Sequence, residues 1–110
     1  MKKPGVRCGE VYLVNLSPTV GSEIHRARPC VVVSPDDLNA NLTTFIVAPM
    51  ATGAHPYPFR MPCRFHRRAG YVIVDQIRTV DRDRLVRRLG RLSPAVLGRT
   101  LSVLQEMFSP

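Results

Sequence analysis

The stretch Gly21-Ser22-Glu23-Ile24-His25-Arg26-Ala27-Arg28-Pro29-Cys30-Val31-Val32-Val33 joins a polar loop to a short, wholly apolar run. Three successive β-branched valines read as a buried strand. The loop before them carries a carboxylate, an imidazole and two guanidiniums. A loop anchored on a rigid strand holds such groups at fixed separations. Pro29 keeps the preceding Arg28 extended, so its side chain leaves the chain in a consistent direction. Glu, His and Arg are the side chains needed to move a proton and to stabilise charge on a phosphoryl group. The functional site is therefore expected here.

Outward from this point, the same local signals predict several short strands. Glu10–Leu16 is strand-like and is ended by Ser17-Pro18-Thr19. A polar loop over 17–28 precedes the valine strand, placed at about 30–34. The segment 35–41, including Asn39, reads as a connection with one helical turn. Further strands are expected at 44–49, 59–63 and 70–76, with a short one near 78–80. Residues 50–58 are rich in Gly and Pro and read as a loop, and an arginine-rich link is expected between the strands at 59–63 and 70–76. Ser93-Pro94 gives the cap and first position of a helix over 94–107. Val96, Leu97, Thr100, Leu101, Leu104 and Phe108 recur along it at three- and four-residue spacing. Short strands followed by a terminal helix predict a mainly β, α+β fold: a strongly bent antiparallel sheet or barrel capped by a helix. The chain shows no repeat, linker or second domain, so 1–110 reads as one domain with a mobile segment at 1–8.

At 110 residues such a domain buries somewhat over ~60% of its extended surface, enough for a core without staples. The formal charge is +8, and 14 of the 16 basic residues are arginine. Ten of them fall between Arg60 and Arg91, against three acids, Asp75, Asp81 and Asp83. Guanidinium groups bind phosphate bidentately and stack on bases, so this field favours a polyanionic partner. Cys8, Cys30 and Cys63 are odd in number and lack metal-knuckle spacing. No zinc site, disulfide framework or other cofactor is expected. No transmembrane segment or apolar leader is visible behind Met1-Lys2-Lys3-Pro4-Gly5, and the expected location is cytoplasmic.

A basic protein with no metal-ligand cluster and no phosphate-cradling glycine loop has one economical route to cutting a nucleic acid. It uses the 2′-hydroxyl of RNA as an internal nucleophile, with proximity supplied by the substrate itself. Such an enzyme needs a base, cations for the crowded phosphate, and a proton for the leaving 5′-oxygen. Glu23, Arg28 and Thr52 form a minimal set, with His25 in reserve. Asp75, Gln76, Arg78, Arg60 and Arg64 are candidates for holding and reading RNA, together with His66, Arg67 and Arg68.

In this order the residues resemble the MazF/PemK family of toxin endoribonucleases. The resemblance rests on Gly9-Glu10-Val11-Tyr12-Leu13-Val14, Ser17-Pro18-Thr19-Val20-Gly21-Ser22-Glu23, Arg28 through Pro35, Val47 through Thr52, and Asp75-Gln76-Ile77-Arg78-Thr79. It implies an SH3-like bent sheet, a homodimer, and metal-independent cleavage of single-stranded RNA (mRNA) leaving a 2′,3′-cyclic phosphate and a 5′-hydroxyl. It also implies an acidic, MazE-like antitoxin, with DNA engaged only indirectly through that antitoxin, and no membrane. By position, Arg28 matches the family's catalytic arginine and Glu23 its loop glutamate. The family's catalytic threonine falls on Ala51, so either Thr52 replaces it after a one-residue shift or the proton comes from elsewhere. Ile73 stands where the PemK branch carries an arginine, and that branch's mechanism does not transfer. Two rival readings remain at this level. A gyrase-binding toxin of the CcdB kind is disfavoured by the absence of tryptophan, and a non-catalytic basic RNA-binding module is disfavoured by few aromatic residues.

Overall fold

The computed structural model describes residues 5–17, 27–52 and 58–110. Among these residues seven strands form one antiparallel sheet: β1 (Glu10–Asn15), β2 (Ala27–Val32), β3 (Thr44–Thr52), β4 (Arg60–Phe65), β5 (Arg68–Ile73), β6 (Arg78–Asp81) and β7 (Leu85–Arg91). Their order is β4-β5-β3-β2-β1-β7, with β6 paired to β3 off this path. A short helix α1 (Asp36–Asn41) links β2 to β3, and α2 (Pro94–Met107) closes the chain.

The nine-residue β3 organises the sheet. One edge pairs with β2, Cys30 facing Pro49 and Val32 facing Val47. The other edge is divided: Thr44–Val47 pair with β6, and Met50–Thr52 pair with β5. A single 3-10 turn, Val74–Gln76, separates β5 from β6, so the sheet bends sharply where β3 changes partner. The bend makes two cores. Val14, Cys30, Val32, Phe45, Val47 and Val80 fill one, while Val11, Val31, Ala48, Met50, Val72 and Val74 fill the other beneath α2. Neighbours such as Val31 and Val32 enter opposite cores, which is why this strand is an unbroken apolar run instead of an alternation.

α2 follows its sequence signal closely. Ser93 Oγ accepts from Val96 N–H at 3.2 Å and Pro94 occupies the first turn. Its apolar contacts come from Val96, Leu97, Val103, Leu104 and Met107. Thr100 is fully buried and its hydroxyl donates to the Val96 carbonyl at 2.8 Å. Phe108, counted in the predicted stripe, lies beyond the last turn and is 70% exposed. The helix ends before the ring can return to the packed face.

Of the bent sheet or barrel expected, the chain forms the bent sheet, since β4 and β7 are not hydrogen-bonded to each other. Other expectations need correction. Met50–Thr52, read as loop, extend β3 because β5 supplies a partner for their backbone. The arginine-rich link is a tight hairpin: Phe65 pairs with Arg68 across the two-residue turn His66-Arg67. Residues 74–76, read as strand, form the 3-10 turn, and β7 had no local apolar alternation to announce it. In the segment expected to be mobile, Val6 is buried in the first core. Next to it, Cys8 N–H donates to Asp36 Oδ1 at 2.7 Å.

Candidate RNA-cleavage site

Arg28 stands near the open end of β2, opposite Val14 of β1. Carrying the β2–β3 register two residues beyond Cys30 and Pro49 sets Arg28 level with Ala51. Ala51 in turn faces Tyr71 of β5. Three strands therefore bring Arg28, Ala51 and Tyr71 side by side, although each comes from a different part of the chain. They line a cleft of about 380 Å³ together with Thr52, Arg68, His66, Phe65, Cys63 and Leu89. That volume falls within the range of about 300–1,000 Å³ typical of small-molecule sites.

Arg28 and Arg68 give the cleft a cationic lining. Beneath Arg28, Cys30 is fully buried and its thiol donates to the Arg28 carbonyl at 3.6 Å. Burial pushes that thiol up to about 12, against the opposing pull of the Arg78 and Arg28 guanidiniums. Burial outweighs both cations, and the thiol stays neutral. Burial also raises the Cys63 thiol. Arg28 and Thr52 are both exposed, so their polar ends reach solvent while their backbones belong to paired strands. A guanidinium on such a support suits a phosphate whose charge grows during reaction.

Phe65 and His66 form the far wall. Their rings stack with centroids 4.1 Å apart and planes 15° from parallel. Beyond them lies Gly90 of β7, where a Cβ would stand 3.2 Å from Phe65 Cζ and 3.6 Å from His66 Nε2. The two ends of the sheet meet here by packing, with no backbone pairing.

The predicted residues are distributed unevenly around this cleft. Arg28 and Thr52 line it together. Glu23 and His25 lie outside the described residues. The chain leaves β1 toward them under a clamp: the Arg84 guanidinium donates to the carbonyls of Asn15 and Ser17. Asp75 and Arg60 are occupied with each other, Nε to Oδ1 at 3.4 Å. Gln76 is exposed on the 3-10 turn, and Arg64 is exposed on β4. None of Asp75, Gln76, Arg78, Arg60 and Arg64 is among the residues lining the cleft. Sequence reading missed Tyr71 and Phe65, which were indistinguishable from ordinary strand aromatics. The signal that they face a site is the pairing of β5 with β3. Among the described residues no cluster of His, Cys, Asp or Glu is arranged to hold a metal ion. No helix there is long and apolar enough to cross a membrane.

A family model described as a PemK-like, MazF-like toxin of type II toxin–antitoxin systems matches residues 7–108. Endoribonuclease MazF9 of Mycobacterium tuberculosis is 36% identical over 104 residues, covering 86% of this chain and 88% of that protein. Endoribonuclease EndoA of Bacillus subtilis is 32% identical over 108 residues, covering 91% of each. The crystal structure of MazF from Deinococcus radiodurans superposes with a TM-score of 0.78 at 26% identity, covering 96% of this chain and 97% of that one.

Proposed function

Because the chain belongs to the PemK-like, MazF-like family of type II toxins, we propose that it is an endoribonuclease toxin that cleaves single-stranded RNA at the Arg28 cleft. The observation that carries this reading is the shared cleft of Arg28 and Thr52, both exposed on paired strands. The 2′-hydroxyl of the nucleotide before the cut attacks the phosphate in line. Arg28 takes up the charge on the phosphorane oxygens, where a preorganised cation counts most. Glu23, on the segment leading into β2, serves as base or orients Arg28, and His25 stands in reserve as base or as the acid for the 5′-oxygen. Thr52 supplies the hydroxyl that the family's threonine would have supplied at Ala51, and assists departure of the 5′-oxygen. The products are a 2′,3′-cyclic phosphate and a 5′-hydroxyl, and no step uses a metal ion.

Asp75, Gln76, Arg78, Arg60 and Arg64 lie outside the cleft and extend the RNA path beyond it. The cytoplasm is the compartment where such a toxin meets mRNA, and a homodimer is the assembly the family resemblance implies. Its natural inhibitor is an acidic, MazE-like antitoxin, whose carboxylates suit a net charge of +8.

The test is incubation of the purified protein with a long single-stranded RNA in EDTA, followed by analysis of the fragment ends. Discrete cuts bearing 2′,3′-cyclic phosphate are expected. Intact RNA, or 3′-hydroxyl ends, would overturn the proposal.

A further inference from the structure

The hairpin between β4 and β5 turns through only two residues, His66 and Arg67, with φ of 49° and 65°. Positive φ at both central positions matches the right-handed twist of the flanking strands, and Asn-Gly is the pair that adopts it with least strain. Here two large side chains occupy it instead. Side chains held in the left-handed region cluster where function demands a particular group in a particular place. His66 also lines the cleft that holds Arg28.

Two contacts place its imidazole, and the hairpin holds its backbone. One ring face is covered by Phe65 at 4.1 Å between centroids. The edge bearing Nε2 lies over Gly90, where no side chain intervenes. The backbone is held by the pairing of Phe65 with Arg68. His66 as a whole nevertheless remains exposed. What results is a flat ring, backed by a second ring, at the mouth of a cationic cleft. Successive stacked rings with arginines beside them are the arrangement by which proteins hold unpaired bases.

We propose that His66 is a stacking platform for one nucleobase of the RNA beside the scissile phosphate, and so a specificity-determining residue of this chain. The Phe65 ring supports it from behind, and Arg68, directly across the hairpin, faces the adjoining phosphate. The choice of RNA as the ligand rests on the ribonuclease reading above. The stacking itself is measurable without turnover.

A decamer covering one mapped cut site carries a 2′-deoxy sugar at the cleaved nucleotide, with 2-aminopurine placed in turn at each flanking position. Stacking quenches 2-aminopurine fluorescence. For the wild type, one position is expected to be quenched on binding. His66→Asn keeps a residue tolerant of positive φ and removes the ring. It is expected to abolish that quenching and to weaken binding roughly tenfold or more. His66→Tyr keeps a ring and is expected to retain both. Quenching and affinity unchanged in His66→Asn would overturn the platform. So would their loss in both variants when thermal unfolding shows each folded like the wild type. If the wild type cuts no RNA, the ribonuclease reading falls alone, and an unstructured 2-aminopurine decamer of arbitrary sequence decides the platform. Quenching that His66→Asn abolishes supports it, and no quenching overturns it.

Discussion

Gly70 of β5 packs directly against the carbonyl of Ala51 on β3. A Cβ at Gly70 would fall on that oxygen and within 3.1 Å of Thr52 Cα. The closeness of the two backbones sets Tyr71 beside Ala51 and holds Thr52 at the rim of the cleft. Gly70→Ala must therefore push β5 off the end of β3. Because the obstacle is backbone, no rotamer change relieves it. A loss of at least ~1–3 kcal/mol is expected from overpacking, read as a lower denaturant midpoint. RNA cleavage is expected to fall further than stability explains, because Thr52 and the β4–β5 hairpin move with the strand.

Arg28→Ala is expected to separate chemistry from folding. The side chain is exposed and its removal leaves both cores intact, so the unfolding midpoint should stay within ~0.5 kcal/mol of the wild type. Cleavage should fall by ~10²–10³-fold, the loss seen when one preorganised donor to a reacting oxyanion is removed. Arg28→Lys should recover only part of this, since an ammonium cannot present two parallel donors. An active Arg28→Ala protein would end the assigned mechanism.

Ser34 and Asn39 test what holds β2 to α1. The Ser34 hydroxyl donates to Asn39 Oδ1 at 2.6 Å and accepts from Ile46 N–H at 3.0 Å, while Asn39 Nδ2 donates to the Ser34 carbonyl at 2.9 Å. Both residues are at most 3% exposed, so no water replaces a lost partner. Asn39→Ala strands the Ser34 carbonyl and the Ser34 hydroxyl proton and is expected to lower stability by ~2–3 kcal/mol. Thermal unfolding, with a drop on the order of 10 °C, checks it.

The Cys30 thiol gives a pH dependence with a definite sign. Burial raises it to about 12 in the folded chain, from an ordinary value of 9.0. The folded state therefore keeps a proton that the unfolded state releases as pH rises through this interval. Stability contributed by the neutral thiol is complete below pH 9 and declines toward pH 12, at up to ~1.4 kcal/mol per pH unit. Denaturant unfolding at several alkaline pH values should show a shallower decline in Cys30→Ala than in the wild type. Equal slopes would place the alkaline sensitivity elsewhere.

The sequence alone carried the pieces whose signal is local. Val31-Val32-Val33 declared a buried strand, of which Val31 and Val32 fall in β2, Ser93-Pro94 declared the start of α2, and Pro29 announced the extended backbone that Arg28 has in β2. Fourteen arginines and a net charge of +8 pointed to a polyanion before any strand was placed. These readings need only side-chain periodicity, capping chemistry and charge, each legible within about a dozen residues.

Only the tertiary structure decided which strand meets which. Met50–Thr52 are strand because Gly70–Val72 lie beside them, and β7 is strand because β1 offers it an edge. The cleft combines the end of β2, the end of β3 and a hairpin from the 60s. Its walls are joined by pairs such as Ala51 with Tyr71, twenty residues apart, and Phe65 with Gly90, twenty-five apart. Backbone pairing energy depends on a partner that no local window contains, so register, the sharing of β3 between β5 and β6, and the company Arg28 keeps were all settled by the fold.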